Sequence, residues 1–291
     1  MNWQEFTPEA GLEKVETYLR KNRPECCLLL SLLENPTVLE RIRSESRLFA
    51  LSDGQQKVIW AVLQQDRHNV IPGIPDGPIP DADLDGLAEL LKSVSVPGIV
   101  GRPSEVNPLA QRIARLKNQT VKTAMTQRVL STRQVDWSKT PGREIVHPKV
   151  RLMRESDREI VTRFVEGFAN EALADSPADQ NRITGQIPSL LTGSGRYFLL
   201  EDSRGEPAAI AAYSGVGKDH VRVGLVYTPP EKRGQGFAGQ IVAEISQRAL
   251  DQGMAFVSLF TDATNPMSNR AYERVGFRLV CDSVHLRFAQ P

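Results

Sequence analysis

Cysteine is scarce in this chain: 3 among 291 residues. Two of them, Cys26 and Cys27, are neighbours inside an apolar run, where disulfide geometry is unfavourable. A disulfide scaffold is thereby excluded, and the thiols read as core residues. No apolar stretch approaches the roughly 20 residues a membrane helix needs. The longest, Cys26 to Leu33, contains Ser31 and reads as one buried helix. The N-terminus, Met1-Asn2-Trp3-Gln4-Glu5, shows no basic segment followed by an apolar block, so no signal peptide, no membrane association and a cytoplasmic location are expected. An excess of one charge is missing too. With 36 Lys and Arg against 35 Asp and Glu, there is no electrostatic ground for a dedicated nucleic-acid binder. The histidines, His68, His147, His220 and His285, lack Cys or carboxylate companions at ligand spacing, so no metal is expected.

The hydrophobic content of 40% is that of a globular protein, and the length suits two domains of about 100 to 200 residues each. Apolar periodicity fades between Gln127 and His147 into Ser131-Thr132-Arg133-Gln134 and Ser138-Lys139-Thr140-Pro141-Gly142-Arg143, which is linker chemistry. A boundary near residue 143 is expected, giving domains 1–143 and 144–291. The first half offers helices over Leu12 to Leu33 (broken at Pro24), Leu84 to Val94 and Asn107 to Leu116; the second offers one over Asp157 to Ala174. Strands alternate with helices in both, which points to α+β halves. Arg47-Leu48-Phe49-Ala50-Leu51-Ser52-Asp53 and Arg196-Tyr197-Phe198-Leu199-Leu200-Glu201-Asp202 share Arg, Phe, Leu and Asp in register. Each leads into a hairpin. Two unrelated hairpins and a duplicated domain both account for this.

The segment with most chemical content starts at Val221-Arg222-Val223-Gly224-Leu225-Val226-Tyr227, a strand pattern stopped by Thr228-Pro229-Pro230, since proline supplies no ladder donor. Glu231-Lys232-Arg233-Gly234-Gln235-Gly236-Phe237-Ala238-Gly239 follows. A helix then runs with apolar residues at Phe237, Ile241, Ile245 and Ala249 and ends at Gly253, suited to a left-handed C-terminal position. Strand, glycine-rich turn and helix N-terminus together make an anion site, because unpaired N–H groups converge there and the helix dipole favours negative charge. A phosphate is the natural ligand.

The kind of phosphate follows from what the turn lacks. A Walker loop ends in Lys and Ser or Thr, whereas this turn ends in Phe237-Ala238. Gly234-x-Gly236-x-x-Gly239 formally completes a dinucleotide fingerprint, but the preceding strand is broken by two prolines, and the next strand, Phe256 to Phe260, ends without the acidic residue that would bind ribose. Arg233-x-x-Gly236-x-Ala238 instead resembles the pyrophosphate-binding signature of the GNAT superfamily of N-acetyltransferases. Downstream, Asn265-Pro266-Met267-Ser268-Asn269-Arg270-Ala271-Tyr272-Glu273-Arg274-Val275-Gly276-Phe277 resembles the family's second hallmark. Asn265 suits a helix cap and Pro266 the first turn. The resemblance covers about residues 150–288 and is weaker in the first half, which reads as an accessory, degenerate GNAT-like domain.

The resemblance implies a mixed β-sheet flanked by helices, acetyl-CoA as cosubstrate, and a small-molecule or peptide amine as acceptor. It implies that backbone groups of Leu225, Val226 and Tyr227 hold the pantetheine arm and acetyl group. Pyrophosphate would meet N–H groups of Arg233, Gly234, Gln235, Gly236, Phe237 and Ala238. Asn265 would contact the pantetheine side, and Tyr272 would give its proton to sulfur. The base is open among His220, Glu166, Glu171 and Asp262, because no carboxylate lies between residues 221 and 230. By the same resemblance the acceptor site is built by the first helices and the stretch 175–194. The rival class is a module that senses acyl-CoA without turnover. In the first half the junction Ile99-Val100-Gly101-Arg102-Pro103-Ser104-Glu105-Val106 is taken as the counterpart of the phosphate turn, and Pro103 and Glu105 would keep coenzyme A from binding there.

Overall fold

The computed structural model of the chain describes residues 1–42, 46–65, 67–140, 149–173, 177–185, 187 and 196–290. The expected boundary near residue 143 and most of the stretch 175–194 lie outside these. Among the described residues no helix is long and apolar enough to cross a membrane. The chain forms two compact units, one of residues 1–129, 262–264 and 279–291, the other of residues 130–261 and 265–278.

In the first unit the order is β1 (Asn2–Phe6), α1 (Pro8–Lys21), α2 (Cys27–Leu33), α3 (Pro36–Ile42), β2 (Ser46–Ser52), β3 (Val58–Gln65), β4 (Ile71–Pro72), α4 (Asp81–Leu90), β5 (Gly98–Gly101), α5 (Pro103–Lys117) and β6 (Thr120–Thr132), the last three residues of β6 being counted with the second unit. The expected long first helix breaks over residues 22–26, where Pro24 cannot continue a hydrogen-bond ladder. Cys26 and Cys27 are buried, and burial pushes the Cys26 thiol up to about 12. Strands β1 to β4 form an antiparallel set, and a parallel bridge from Val70 to Ile99 joins the β4 end to β5. Ser131 and Thr132, expected in the linker, are the last residues of β6.

The second unit holds β7 (Lys149–Leu152), α6 (Arg158–Ala172), α7 (Pro177–Thr184), β8 (Tyr197–Glu201), β9 (Pro207–Val216), β10 (His220–Tyr227), α8 (Phe237–Asp251), β11 (Phe256–Asp262) and α9 (Pro266–Val275). Its sheet runs β7-β8-β9-β10-β11. It is antiparallel from β7 to β10 and parallel between β10 and β11. Alternation along β8 and β9 sends Phe198, Leu200, Ala209 and Ala211 into a core with Ile241, Val242 and Ile245 of α8. Leu199 and Ile210 enter a second core with Val161, Phe164 and Val165 of α6. The sheet is thus covered on both faces, and each fully buried aliphatic side chain contributes about 1.5 to 3 kcal/mol.

Both units share one element order: a strand, helices, a three-strand meander, a helix, a strand and a helix. The two similar heptads begin the corresponding hairpins, and their turns are built alike. Asp53 Oδ1 accepts from the N–H of Gln55 and Lys57 at 2.9 and 3.0 Å, and Asp202 Oδ1 from those of Arg204 and Glu206 at 2.9 and 3.0 Å. The fourth residue of each turn is left-handed, Gln56 with φ 61 and Gly205 with φ 77.

This correspondence corrects the expected counterpart of the phosphate turn. The fourth strand of the first unit is β4, so the turn to compare is residues 73–80, not Ile99 to Val106, which follows the fifth strand. Pro75, Pro78 and Pro80 there have no N–H. Gly73 and Asp76 donate theirs to Ala61 and Ile59 at 2.8 Å each. Asp81 and Asp83 occupy the first turn of α4, where carboxylates repel an anion. Tyr18 donates to Ile74 O at 2.6 Å, and a Cβ on Gly73 would lie 2.6 Å from that hydroxyl. The Tyr18 side chain packs against the start of this turn.

Candidate active site

Strand β10 pairs with β11 only over its first half. Its register with β11 runs from His220↔Phe256 to Val223↔Leu259, although both strands continue, so they part beyond that point. On the other side the register with β9 jumps from Gly224↔Ala212 to Tyr227↔Ile210. Leu225 and Val226 therefore stand opposite one residue, Ala211, which is a β-bulge. Leu225 has φ 52, a left-handed backbone that costs a side-chain-bearing residue about 1 to 2 kcal/mol. The bulge also reverses the faces of the strand. Val221 and Val223 belong to the core under α8, whereas Leu225 and Tyr227 belong to the one under α6. A side-chain period of two would have kept all four together. Gly224 is needed beside the bulge, since a Cβ there would lie 2.8 Å from Ser214 Oγ.

A short 3₁₀ turn, Pro230–Lys232, leads from β10 into the glycine loop. Lys232 fastens it to the β8–β9 hairpin, with Nζ 2.8 Å from Asp202 Oδ2 and 2.6 Å from Glu206 Oε2. Gly234 and Gly236 are left-handed, with φ 79 and 80, and Gly236 is the N-cap of α8 with no side-chain cap. The N–H groups of Gly234 to Gly239 donate to no other described residue. That of Arg233 differs: it closes the 3₁₀ turn on Pro230 O at 3.2 Å. The donors left for an anion are those of Gly234, Gln235, Gly236, Phe237 and Ala238, without Arg233. Their exposure at a helix N-terminus fits a pyrophosphate.

Helix α9 has the expected caps. Asn265 Oδ1 accepts from Ser268 N–H at 3.1 Å, and Gly276 closes the helix with φ 111. A Cβ on Gly276 would lie 2.8 Å from Gln134 O, so glycine serves close packing as well as conformation. Tyr272 is buried against Phe277, ring centroids 6.3 Å apart. Burial pushes its phenol up to about 12.

A polar cluster that the spacing of residues does not announce joins α6 to the glycine loop. Glu171, in the last turn of α6, accepts from Arg233 Nη2 at 2.7 Å through Oε1 and 2.6 Å through Oε2. Tyr227 Oη donates to Glu171 Oε1 at 3.2 Å. Arg233 lies over the Tyr227 ring, 5.7 Å from its centroid, and its Nε donates to Thr228 O at 2.9 Å. Burial, then the Glu171 carboxylate, raise the Tyr227 pKa above the usual tyrosine range. Gly167 admits the ring, because any Cβ there would collide with the Tyr227 hydroxyl.

Residues 160–277 match the model of the acetyltransferase (GNAT) family. This stretch is a GNAT domain. No curated protein sequence matches the chain at a significant level. Among solved structures, a GCN5-related N-acetyltransferase from Sphaerobacter thermophilus is 15% identical with a TM-score of 0.57, covering 99% of this chain and 96% of that one. A GNAT-family acetyltransferase from Colwellia psychrerythraea is 15% identical with a TM-score of 0.51, covering 99% of each chain. A tandem GNAT protein from the clavulanic acid biosynthesis pathway is 12% identical with a TM-score of 0.50, covering 99% of this chain and 98% of that one. At these identities the likeness concerns the fold, and the full-length match to a tandem protein agrees with a second GNAT-like unit in the first half. GNAT proteins use acetyl-CoA, and the family match points to acyl transfer from acyl-CoA.

The GNAT domain separates the four base candidates. His220 is fully buried at the start of β10 and stacked on Phe256, centroids 5.1 Å apart. It lies seven residues, about 20 Å of extended strand, from Tyr227. Asp262 Oδ1 accepts from Thr264 N–H and Oγ1, both at 2.8 Å, and is turn-forming. Glu166 is exposed on α6. Only Glu171 reaches the loop, and there it holds Arg233.

Proposed function

We propose that the GNAT domain transfers an acetyl group from acetyl-CoA to a primary amine of a small-molecule or peptide acceptor. The bulge at Leu225 carries this reading. It takes backbone groups of Leu225 and Val226 out of the ladder with β9, just before Tyr227 rejoins it opposite Ile210 and where β10 and β11 part, which is where a slender arm and its carbonyl can meet main-chain donors. A plain nucleotide-binding turn has no use for it.

Bound acetyl-CoA supplies a thioester carbonyl open to attack by an amine. The chain's own residues bind and orient it. Donors from Gly234 to Ala238 receive the pyrophosphate, and Asn265, whose Oδ1 is occupied by its helix cap, offers Nδ2 to the pantetheine amide. Main-chain N–H groups of the bulge polarise the carbonyl oxygen. Tyr272 donates a hydrogen bond to sulfur as negative charge gathers there. Its phenol at about 12 stays protonated through the neutral range, and a thiolate of pKa near 8.5 would not take that proton outright. The role is hydrogen-bond donation rather than full proton transfer. The attacking amine loses its proton to solvent, which suits an acceptor of α-amino type with pKa near 8.

The test is incubation with acetyl-CoA and a broad panel of amines, following free thiol and the mass of each amine. Amine-dependent thiol release with a matching acetylated product is expected. Coenzyme A binding without turnover on any amine would replace this reading by that of a non-catalytic acyl-CoA sensor.

A further inference from the structure

Arg233 is tied to a carboxylate of its own chain at the edge of a site read as binding phosphates. Its guanidinium and the Glu171 carboxylate are each close to half exposed, 46% and 47%, so the pair is wet and contributes little to stability. It is also well formed, with one guanidinium nitrogen between both carboxylate oxygens. A phosphate offers the same partner with more charge. Gly234, the next residue, begins the row of N–H groups that no other described residue uses.

We propose that Glu171 is the residue that sets affinity for the phosphate part of the acyl donor, by occupying Arg233 until a phosphate displaces it. This rests on the reading of the glycine loop as a pyrophosphate site. In the free protein the carboxylate stands in for the phosphate and keeps the guanidinium turned toward α6, over Tyr227. When a phosphate enters the loop, Arg233 exchanges one oxyanion for the other. The Glu171 carboxylate is then released beside Tyr227 Oη, where it can meet a cation. Residues on three elements make this exchange: α6, the end of β10 and the loop before α8.

A role of this kind has a sign that a structural role lacks. If the ion pair only braced the loop, removing it would weaken binding of coenzyme A. If Glu171 competes for Arg233, removing its charge strengthens binding. The experiment is calorimetric titration of the full chain with coenzyme A, comparing the unaltered protein, Glu171→Gln, Arg233→Gln and the double variant, with melting curves for each. The expected result is a dissociation constant about 2- to 5-fold lower for Glu171→Gln, the scale of an exposed ion pair. In the Arg233→Gln background the same change has no effect, because the guanidinium through which it acts is gone. Equal or weaker binding by a stably folded Glu171→Gln overturns the exchange. So does tightening that persists without Arg233, which would be a general field effect of the lost charge. Failure of the unaltered chain to bind coenzyme A would instead overturn the pyrophosphate reading and this inference with it.

Discussion

Gly236 and Leu225 both adopt left-handed backbone, and only one of them was legible in the sequence. Glycines at 234 and 236 between a strand and a helix pattern declare a turn with positive φ. Val221, Val223, Leu225 and Tyr227 declare the opposite, one uniform strand face, and the reversal at the bulge leaves no trace in such an alternation. Glu171 was visible as a candidate, but its pairing with Arg233, 62 positions on, depends on the bulge bringing Tyr227 over α6. Gly236→Glu should weaken coenzyme A binding by a hundredfold or more, since losing two charge-assisted contacts of about 1.5 to 3 kcal/mol each suffices for that. The left-handed glutamate should lower stability by only about 1 to 2 kcal/mol. Calorimetry beside a melting curve checks both, and unchanged affinity in a folded variant would leave the loop a structural turn. Tyr272→Phe should lower turnover about 10- to 100-fold, the value of a hydrogen bond to a charged atom, with little change in KM for acetyl-CoA. Equal turnover would make Tyr272 a packing residue.

At the scale of elements, local signals carried far. The helix Pro266–Val275 lies where its Asn cap, Pro and terminal Gly put it, and α8 where its four-residue apolar repeat does. The pairing of the two halves was harder. Strand β4 has two residues, Ile71–Pro72, too short for any periodicity, so the strand-turn-helix pattern that stands out in the first half is the later one at Gly98 to Lys117. The two hairpins give the firmer correspondence, because in each an Asp accepts two N–H groups of the turn and the fourth residue is left-handed. Asp53→Ala and Asp202→Ala should therefore loosen their turns alike, each removing two turn hydrogen bonds worth about 0.5 to 1.5 kcal/mol apiece, while Asp202→Ala also removes one of the two carboxylates that hold Lys232. Amide exchange reads this directly. Gln55 and Lys57 should exchange faster in the first variant, Arg204 and Glu206 in the second. Unchanged exchange in either would show that the turn holds without its Asp and that the likeness is only of sequence.

At the scale of the molecule, the last strand is what no reading of neighbours along the chain could place. β12 (Arg278–Ala289) follows α9 without a break, and the strand after the last helix of a domain is naturally given to that domain. Residues 279–291 instead belong to the first unit. There β12 pairs antiparallel with β5, from Val284↔Gly101 to Arg287↔Gly98. Leu286 is buried in the first unit's core with Ile99, Leu109 and Ile113. Phe288 N–H donates to Pro97 O at 3.0 Å, and Gly98 has no room for a Cβ because the Leu286 carbonyl lies against it. A fragment of residues 1–143 would lack this strand and expose the β5 edge, so it cannot report on the first unit as the whole chain contains it. A chain ending at Arg278 should lose stability in the first unit specifically. Leaving Leu286 out of a packed core costs about 2 to 5 kcal/mol as a cavity, and the unpaired β5 edge adds to it. Hydrogen exchange on the shortened chain should show protection falling in β5 and α5 while α8 keeps its own. Undiminished protection in β5 would mean that the first unit is complete without the C-terminal strand, and that β12 is an appendage rather than part of its sheet.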